Sequence, residues 1–501
     1  MEFLASHSLT LILSVITIAA LAIAIFPMDE LKARTTAFSA SLITLAISLI
    51  QYFQLFDYNR LGIQLVEDYE WIGKIHFKLG VDGLGFSMVL LMAILLPCVI
   101  LASKPIAEKQ QHRLYYSLIL FLSLAVFAVF MAQDIFLFFL AWELELVPMY
   151  FLIAIWGSKN RNYASMKFLI YTFAAGVALL IGIFGLVSAT NFASFDMVTL
   201  SHMAKTLSLG TQSILFILFS LCFLVKLPSV PFHTWLPDAH VEAPTPVSML
   251  LAGILLKMGC YGFIKFGLEF FPAALVKYAP IIAILAAVNI IYAAYTALIQ
   301  KDMKKVIAYS SVSHMGFVLL GMAALNSPGY NGAAFQMFSH GLISAALFMI
   351  VGMIYERSHT RDIGELGGLA KVMPRTFFIF ILAAMANLGL PGLSGFVGES
   401  MVFYGAFTAA TASQVLKIST AVAALGVILT AAYMLWLNQR VFYGKIKDKW
   451  MTLTDARTTE VVILAVLLGL AILYGVYPKF INNIYEPGLT RATTLTDFYV
   501  R

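Results

Sequence analysis

The sequence predicts an all-α polytopic membrane protein of about fourteen transmembrane helices. Three observations predict it. The 501 residues are 61% hydrophobic and only 12% charged, about half the charged fraction of soluble domains. Apolar windows long enough to cross a bilayer recur along nearly the whole chain. Lys and Arg also alternate from loop to loop: nineteen follow odd-numbered spans and nine lie on the opposite side. An odd number of spans would scramble that bias, and the positive-inside rule then puts both termini on the lumenal or periplasmic side.

In chain order the spans are 8–27, 34–56, 84–103, 114–132, 135–156, 163–187, 212–240 (broken), 245–271, 276–299, 304–325, 330–355, 373–412 (broken), 415–439 and 458–478. The first has no basic n-region and no small-residue cleavage site, so it reads as a retained helix. Asp134 separates spans 4 and 5 almost without a loop. Segments 57–83 and 188–211 exceed a tight loop and mix polar with apolar residues. Both fall on the outer side and could hold surface helices or a hairpin. Spans 7 and 12 break at Pro228 and Pro391, 163 residues apart. Paired interrupted helices mark transporters built from repeats. The breaks are five spans apart, an odd number, so tandem five-span repeats must insert with opposite topology. Spans 4–8 and 9–13 therefore read as inverted repeats; the alternative is chance placement of two prolines. The expected organisation is one membrane domain, 1–501, with flanking helices 1–113, a first repeat 114–271, a second repeat 276–439, and a loop with the last helix over 440–501.

Several chemistries are excluded. Cys98, Cys222 and Cys260 are far apart in apolar runs, with no CxxC or Cys/His cluster, which argues against disulfides, zinc and iron–sulfur clusters. There is no GxGxxG after a strand, no P-loop and no CxxCH haem site. Such a chain carries no electrons and hydrolyses no ATP. The net charge of +6 reads as membrane topology, not nucleic-acid binding.

The ionisable residues inside the spans point to function. Lys226 ends an apolar run just before Pro228 and Pro231. The two prolines free the carbonyls of Leu224 and Leu227 on either side of it. An ionisable group at a helix break is how transporters build an ion site; the bland alternative is a lysine snorkelling to the interface. Glu143 and Glu145 lie mid-span in FFLAWELELVPMYFL, about 200° apart on a regular helix. They should face nearly opposite ways and not line one path, with one inward and the other towards a neighbouring subunit. Lys257 is the deepest lysine, while Lys265 and Lys167 read as snorkelling. His314 and His340 lie in successive spans beside serines and suit a relay with water, or else simple packing. Glu399 follows Pro391, Gly392, Gly395 and Gly398, an irregular stretch tolerated at membrane depth only in protein or beside a wet cavity. In chain order the set is Glu143, Lys226, Lys257, His314, His340 and Glu399. A titratable series across several spans is the mark of a proton path. His233, Asp238, His240 and Glu242 in HTWLPDAHVEAPTP make metal binding conceivable. Their Pro-rich setting reads better as a turn seating the broken half-helix at the interface.

At these motifs the chain becomes recognisable. WELELVPMY, PFHTWLPDAHVEAPTPVSMLLAGILLKMGCYG, AYSSVSHMGFVLLG, FSHGLISAALFMIVGMIYERSHTRD and LPGLSGFVGE resemble the antiporter-like chain 4, or M-type, subunits of complex I-type NAD(P)H–quinone oxidoreductases. The resemblance covers about residues 80–440, and GGLAKVMPRTF points to the cyanobacterial and chloroplast form. It implies a proton-pumping module of the membrane arm in a thylakoid membrane, or otherwise a bacterial inner membrane. Flavin, iron–sulfur clusters and quinone would belong to partner subunits, with no cofactor in this chain. Partners would be other membrane-arm subunits, antiporter-like neighbours among them, and the lipid bilayer; a CO2-hydration subunit is implied only if the chain serves a CO2-uptake form. The resemblance also implies that Glu143 pairs with Lys226, that Lys257 passes the proton on, and that His314 and His340 lead to Glu399 as the last carrier.

The expected mechanism is a switchable Glu143–Lys226 ion pair. At an effective dielectric constant of about 20 and a separation of about 4 Å, such a pair is worth roughly 4 kcal/mol. Pulling it apart makes Lys226 release its proton towards Lys257. Two rivals remain at this point: a self-contained secondary cation/proton antiporter, and a scaffold with dead channels.

Overall fold

A computed structural model describes residues 2–103, 106, 111–409 and 413–500. Lys104, Lys109 and Arg501, counted above in the charge bias, lie outside the described residues. The chain is helical as expected. Among the described residues thirteen helices are long and apolar enough to cross a membrane. The fourteenth expected span is the broken one, whose halves Pro374–Asn387 and Ser394–Thr408 are each too short alone. The helices are not equally enclosed. Apolar windows in Thr245–Phe270 and Ser327–Ser358 are wholly buried and that in Met303–Ala323 is 94% buried, against 39% for Gln414–Phe442 and Thr458–Val476. The helices that carry Lys257, His314 and His340 are among the most enclosed, together with Gly83–Ala102 at 94%.

The chain divides into two compact units: Met1–Leu227 with Ile254–Ala279 and Asn483–Arg501, and Pro228–Gly253 with Pro280–Asn482. In the first unit, segment 57–83 holds a hairpin of β1 (Gln64–Ile72) and β2 (Ile75–Val81), antiparallel with Asp68 opposite Lys78. Gly73 turns it with φ +59°, a left-handed conformation that glycine adopts without steric cost. The hairpin ties helix ends together. Glu67 accepts from the Leu9 amide at 2.7 Å, and the Gln133 amide donates to Lys78 O at 2.9 Å. Segment 188–211 contributes the short helix Met197–Ala204.

The division at Asp134 is real. Its carboxylate accepts from the Phe136 and Leu137 amides at 2.9 and 3.1 Å, capping Ile135–Leu144. A side-chain acceptor at an N-cap satisfies amides that have no partner inside the helix. Burial raises the Asp134 carboxyl above the ordinary aspartate range, against those hydrogen bonds. The same device recurs in the second unit. Asp302 caps Met303–Ala323 and forms an isolated antiparallel bridge with Asp362, as Asp134 does with Asp196. Asp196 and Asp362 in turn each cap a short helix. The recurrence falls at the starts of spans 5 and 10.

Three features depart from expectation. Lys265, read as snorkelling, is buried, and its Nζ lies 2.5 Å from Asp82 Oδ2. The C-terminal end of span 8 is closed enough that a pair with Asp82 replaces water. Lys304, counted with a loop, sits buried in the first helical turn and donates to Ala243 O at 2.6 Å. A last helix, Lys479–Val500, lies beyond the expected spans. It buries Ile481, Ile484, Tyr485 and Leu489, a spacing typical of an amphipathic face.

Candidate functional site

The six expected residues fall three to each unit. In the first unit, Leu209–Lys226 ends at the lysine, and Pro228 and Pro231 stop its continuation. Lys226 is 2% exposed. Its ammonium lies 5.8 Å from the Trp142 ring centroid and 5.6 Å from that of Phe168, within cation–π range. Its direct ion-pair partner is Glu145, through Oε1. This corrects the expected Glu143–Lys226 contact. Glu145 is fully buried, whereas Glu143 is half-buried. Glu143, two residues before it on the same span, also lies within electrostatic range of Lys226. The span is interrupted at Glu145, between Ile135–Leu144 and Leu146–Trp156, where Pro148 cannot donate to the carbonyl of Leu144, although the Glu145 backbone stays in the right-handed helical region.

Two glycines complete this cluster. A Cβ on Gly176, in Arg161–Ala189, would collide with Glu143 Oε1, so the bare glycine makes room for the carboxylate. A Cβ on Gly259 would stand 2.5 Å from the Leu227 amide nitrogen. Gly259 therefore lets the Lys257 helix lie directly against the end of the Lys226 helix. Lys257 itself is fully buried.

In the second unit, His314 Nδ1 lies 3.3 Å from Glu399 Oε1 and 3.2 Å from Gln336 Nε2. One ring nitrogen thus has a donor on one side and an acceptor on the other. Neutral at Nδ1, it accepts from Gln336; protonated, it donates to Glu399. The His314 and His340 rings are 5.5 Å apart between centroids. All three titratable groups are buried, with Glu399 at 6% exposure. Glu399 is set by the second break. Leu388 ends the first half-helix and Gly389 follows with φ +76°, the left-handed residue that commonly terminates a helix. Glu399 Oε2 packs over that bare Cα. Beside it, Asn387 donates to Ser310 at 3.1 Å, and Tyr433 donates to Ser310 at 3.0 Å. The first break has its own polar support within the second unit: Asn289 Oδ1 accepts from the Val230 amide at 2.7 Å.

Sequence reasoning did not single out Gln336, Asn289, Asn387, Ser310, Tyr433 or the aromatic walls around Lys226. A buried amide in an apolar run was the available signal for the three amide side chains. Trp235–Glu242 forms a short helix in which His240 is fully buried and stacks on Phe348 at 4.4 Å between centroids. That encloses the His240 ring within the protein. Among the described residues no group of three His, Cys, Asp or Glu is arranged to hold a metal ion.

Comparisons with known proteins add to this geometry. Residues 132–426 match the family described as "NADH:quinone oxidoreductase/Mrp antiporter, TM". The chain is 45% identical over 489 residues to "NAD(P)H-quinone oxidoreductase chain 4 1" of Thermosynechococcus vestitus, covering 95% of this chain and 91% of that protein. It is 42% identical over 473 residues to "NADH-quinone oxidoreductase subunit M" of Rhodobacter capsulatus, covering 92% and 91%. Among solved structures, a chain of respiratory complex I from Thermus thermophilus superposes with TM-score 0.87 at 24% identity, covering 97% of this chain and 99% of that one. A chain of the Mrp complex from a Dietzia species superposes with TM-score 0.87 at 19% identity over the full length of both. At those identities the two structures speak for the fold alone.

Proposed function

The chain belongs to the NADH:quinone oxidoreductase/Mrp antiporter membrane family, among its chain 4 or M-type members, and from that premise we propose how its buried charges move protons. It is a proton-translocating, multi-pass membrane subunit of an NAD(P)H–quinone oxidoreductase complex. Lys226, held by buried carboxylate at the first break, carries a proton. When the carboxylate contact loosens, the ammonium loses its compensation and passes the proton to Lys257. From there it moves through His314 and His340 to Glu399 and the outer side. Waters join the carriers, since proton transfer needs a hydrogen-bonded chain. Redox chemistry, with its flavin, iron–sulfur clusters and quinone, belongs to partner subunits, and a conformational change in a neighbouring antiporter-like subunit drives the switch. Cyanobacterial chain 4 relatives support a thylakoid location, with both termini on the lumenal side. The inverted repeats of spans 4–8 and 9–13 supply one break to each half of the path.

The observation that carries this reading is the buried Lys226–Glu145 contact beside Glu143, at a helix break. A buried lysine without such a partner costs several kcal/mol, so a movable partner is a means of releasing a proton. The test is Lys226→Ala in the assembled complex, in proteoliposomes, read as protons translocated per quinone reduced. The ratio should fall. A ratio equal to that of the unsubstituted complex would leave the chain a scaffold. Co-purified subunits would separate a respiratory assembly from one that includes a CO2-hydration subunit.

A further inference from the structure

We propose that Lys226 exchanges between Glu145 and Glu143, and that each exchange moves one proton from the half-buried carboxyl to the fully buried one. The inference rests on the reading of Lys226 as a proton-pumping switch and adds to it a second carboxyl partner.

Four observations meet here. Glu145 is fully buried and contacts Lys226. Glu143 is half-buried, on the same span, and lies within the field of the same lysine. One oxygen of each carboxylate, Glu143 Oε1 and Glu145 Oε2, is buried without a hydrogen-bond partner. The helix is interrupted at Glu145 with Glu143 two residues before it, and Glu143 Oε1 fills the space that Gly176 leaves bare.

One ammonium cannot compensate two buried carboxylates, so the second carboxyl holds a proton. In one state Lys226 is paired with ionised Glu145 while Glu143 is a neutral acid. In the other, Lys226 is paired with ionised Glu143 while Glu145 is the acid. Going from the first to the second breaks an O–H bond at Glu143 and forms one at Glu145. The ammonium moves the opposite way, and the charge of the cluster is unchanged throughout. Lys226 keeps a partner in both states, so the step avoids an isolated buried ion. The acid formed at Glu145 lies against Lys226 and reprotonates it once Lys226 has passed its own proton to Lys257. Return of Lys226 to Glu145 leaves Glu143 to take up another. The Trp142 and Phe168 rings wall the ammonium in during the exchange, and the room left at Gly176 lets the Glu143 carboxyl stay in place.

The test uses Glu145→Gln, Glu143→Gln and the double variant in the assembled complex, read as protons per quinone reduced and compared with Lys226→Ala. The exchange predicts that each single variant loses the same fraction of pumping as Lys226→Ala, and that the double variant loses no more. A purely structural Glu145 would lower the yield of complex and both rates together, and leave the ratio where it was. If Glu145→Gln prevents assembly, Glu145→Asp is read instead: its shorter reach weakens the hold on Lys226, and the ratio falls about twofold. An unsubstituted ratio in either Glu145 variant, with the ratio of Lys226→Ala lowered, overturns the exchange and leaves Glu143 as the sole partner. An unsubstituted ratio in Lys226→Ala overturns the underlying reading instead.

Discussion

Gly389→Ala should slow proton delivery at Glu399 through one added methyl group. The backbone at 389 has φ +76°, where an L residue costs roughly 1–2 kcal/mol. The new Cβ would stand 2.7 Å from Glu399 Oε2, whereas ordinary contact begins at 3.4 Å. The carboxylate must therefore retreat by about 0.7 Å. It is the end of a flexible side chain, so the retreat adds little to the cost of folding. It matters chemically, because the same carboxylate stands 3.3 Å from His314 Nδ1. Directed away from His314, a retreat of that size takes the contact to about 4 Å, beyond hydrogen-bond reach. Since misplacing reacting groups by 1 Å can cost about 100-fold, transfer through this pair should slow on the order of tenfold.

Gly392→Ala is the matched control. Gly392 also has a positive φ, +93°, but nothing lies within 4 Å of its would-be Cβ. Both variants should lose similar thermal stability in detergent. Only Gly389→Ala should lower the protons translocated per quinone reduced, towards the value that Glu399→Gln leaves. Equal ratios in the two glycine variants would show that the position of the Glu399 carboxylate against His314 does not control delivery, and the reasoning would fail.

Two further outcomes concern stability. Lys265→Ala should destabilise the chain by about 3 kcal/mol, near the lower end for breaking a buried pair, because Asp82 retains 16% side-chain exposure and a bond to the Gly85 amide. Thermal unfolding of Lys265→Met/Asp82→Asn should recover most of it, and no recovery would mean the pair is not the cause. Asp455 accepts from the Arg375 and Thr376 amides at 2.8 and 3.1 Å and so caps Pro374–Asn387. Burial pushes its carboxyl up, but the Arg375, Ala456 and Thr376 hydrogen bonds prevail and hold it below the ordinary aspartate range. A depressed folded value means that this stabilisation is complete above the unfolded pKa of about 3.9 and disappears as pH falls through the lower folded value. Asp455→Ala should cost about 1 kcal/mol at neutral pH and less at pH 3, read as the difference in unfolding midpoint at the two pH values.

The spans and both breaks were legible in the sequence because membrane insertion leaves few options. A run of about 20 apolar residues has one use, and Pro228 and Pro391 remove donors whatever surrounds them. The burial of Lys226, Lys257, His314, His340 and Glu399 follows from the same logic. The partner of Lys226 was not legible: the sequence offers two carboxylates two residues apart on one span, and only the tertiary contact of Glu145 ranks them. Lys265 was misread because distance along the chain locates a residue in depth but says nothing of Asp82, 183 residues away. The last helix was hard to see for another reason. A short amphipathic element lacks the long apolar signal that makes spans plain.

Stability alone does not explain these clusters. A buried ion pair replaced by apolar side chains of similar volume is often neutral or more stable by about 1–4 kcal/mol. The fold nonetheless encloses Lys226 with Glu145 and His314 with Glu399, and gives both clusters expensive local structure. Gly176 and Gly389 stay bare so that carboxylates can sit against them, and a glycine inside a helix, as Gly176 is, weakens it by about 1 kcal/mol. Both spans that carry a break leave backbone groups needing outside partners, met by Asn289 at the first and by the turn from Leu388 to Leu393 at the second. Packing for stability would remove each of these features. What they share is a titratable group with a second group close by: Lys226 with Glu145 in contact and Glu143 two residues from it on the same span, and His314 Nδ1 with a donor and an acceptor. A single partner would serve for burial. Two partners are needed when the charge must move, and that requirement accounts for why the strain, the glycines and the acids occur together at these two places.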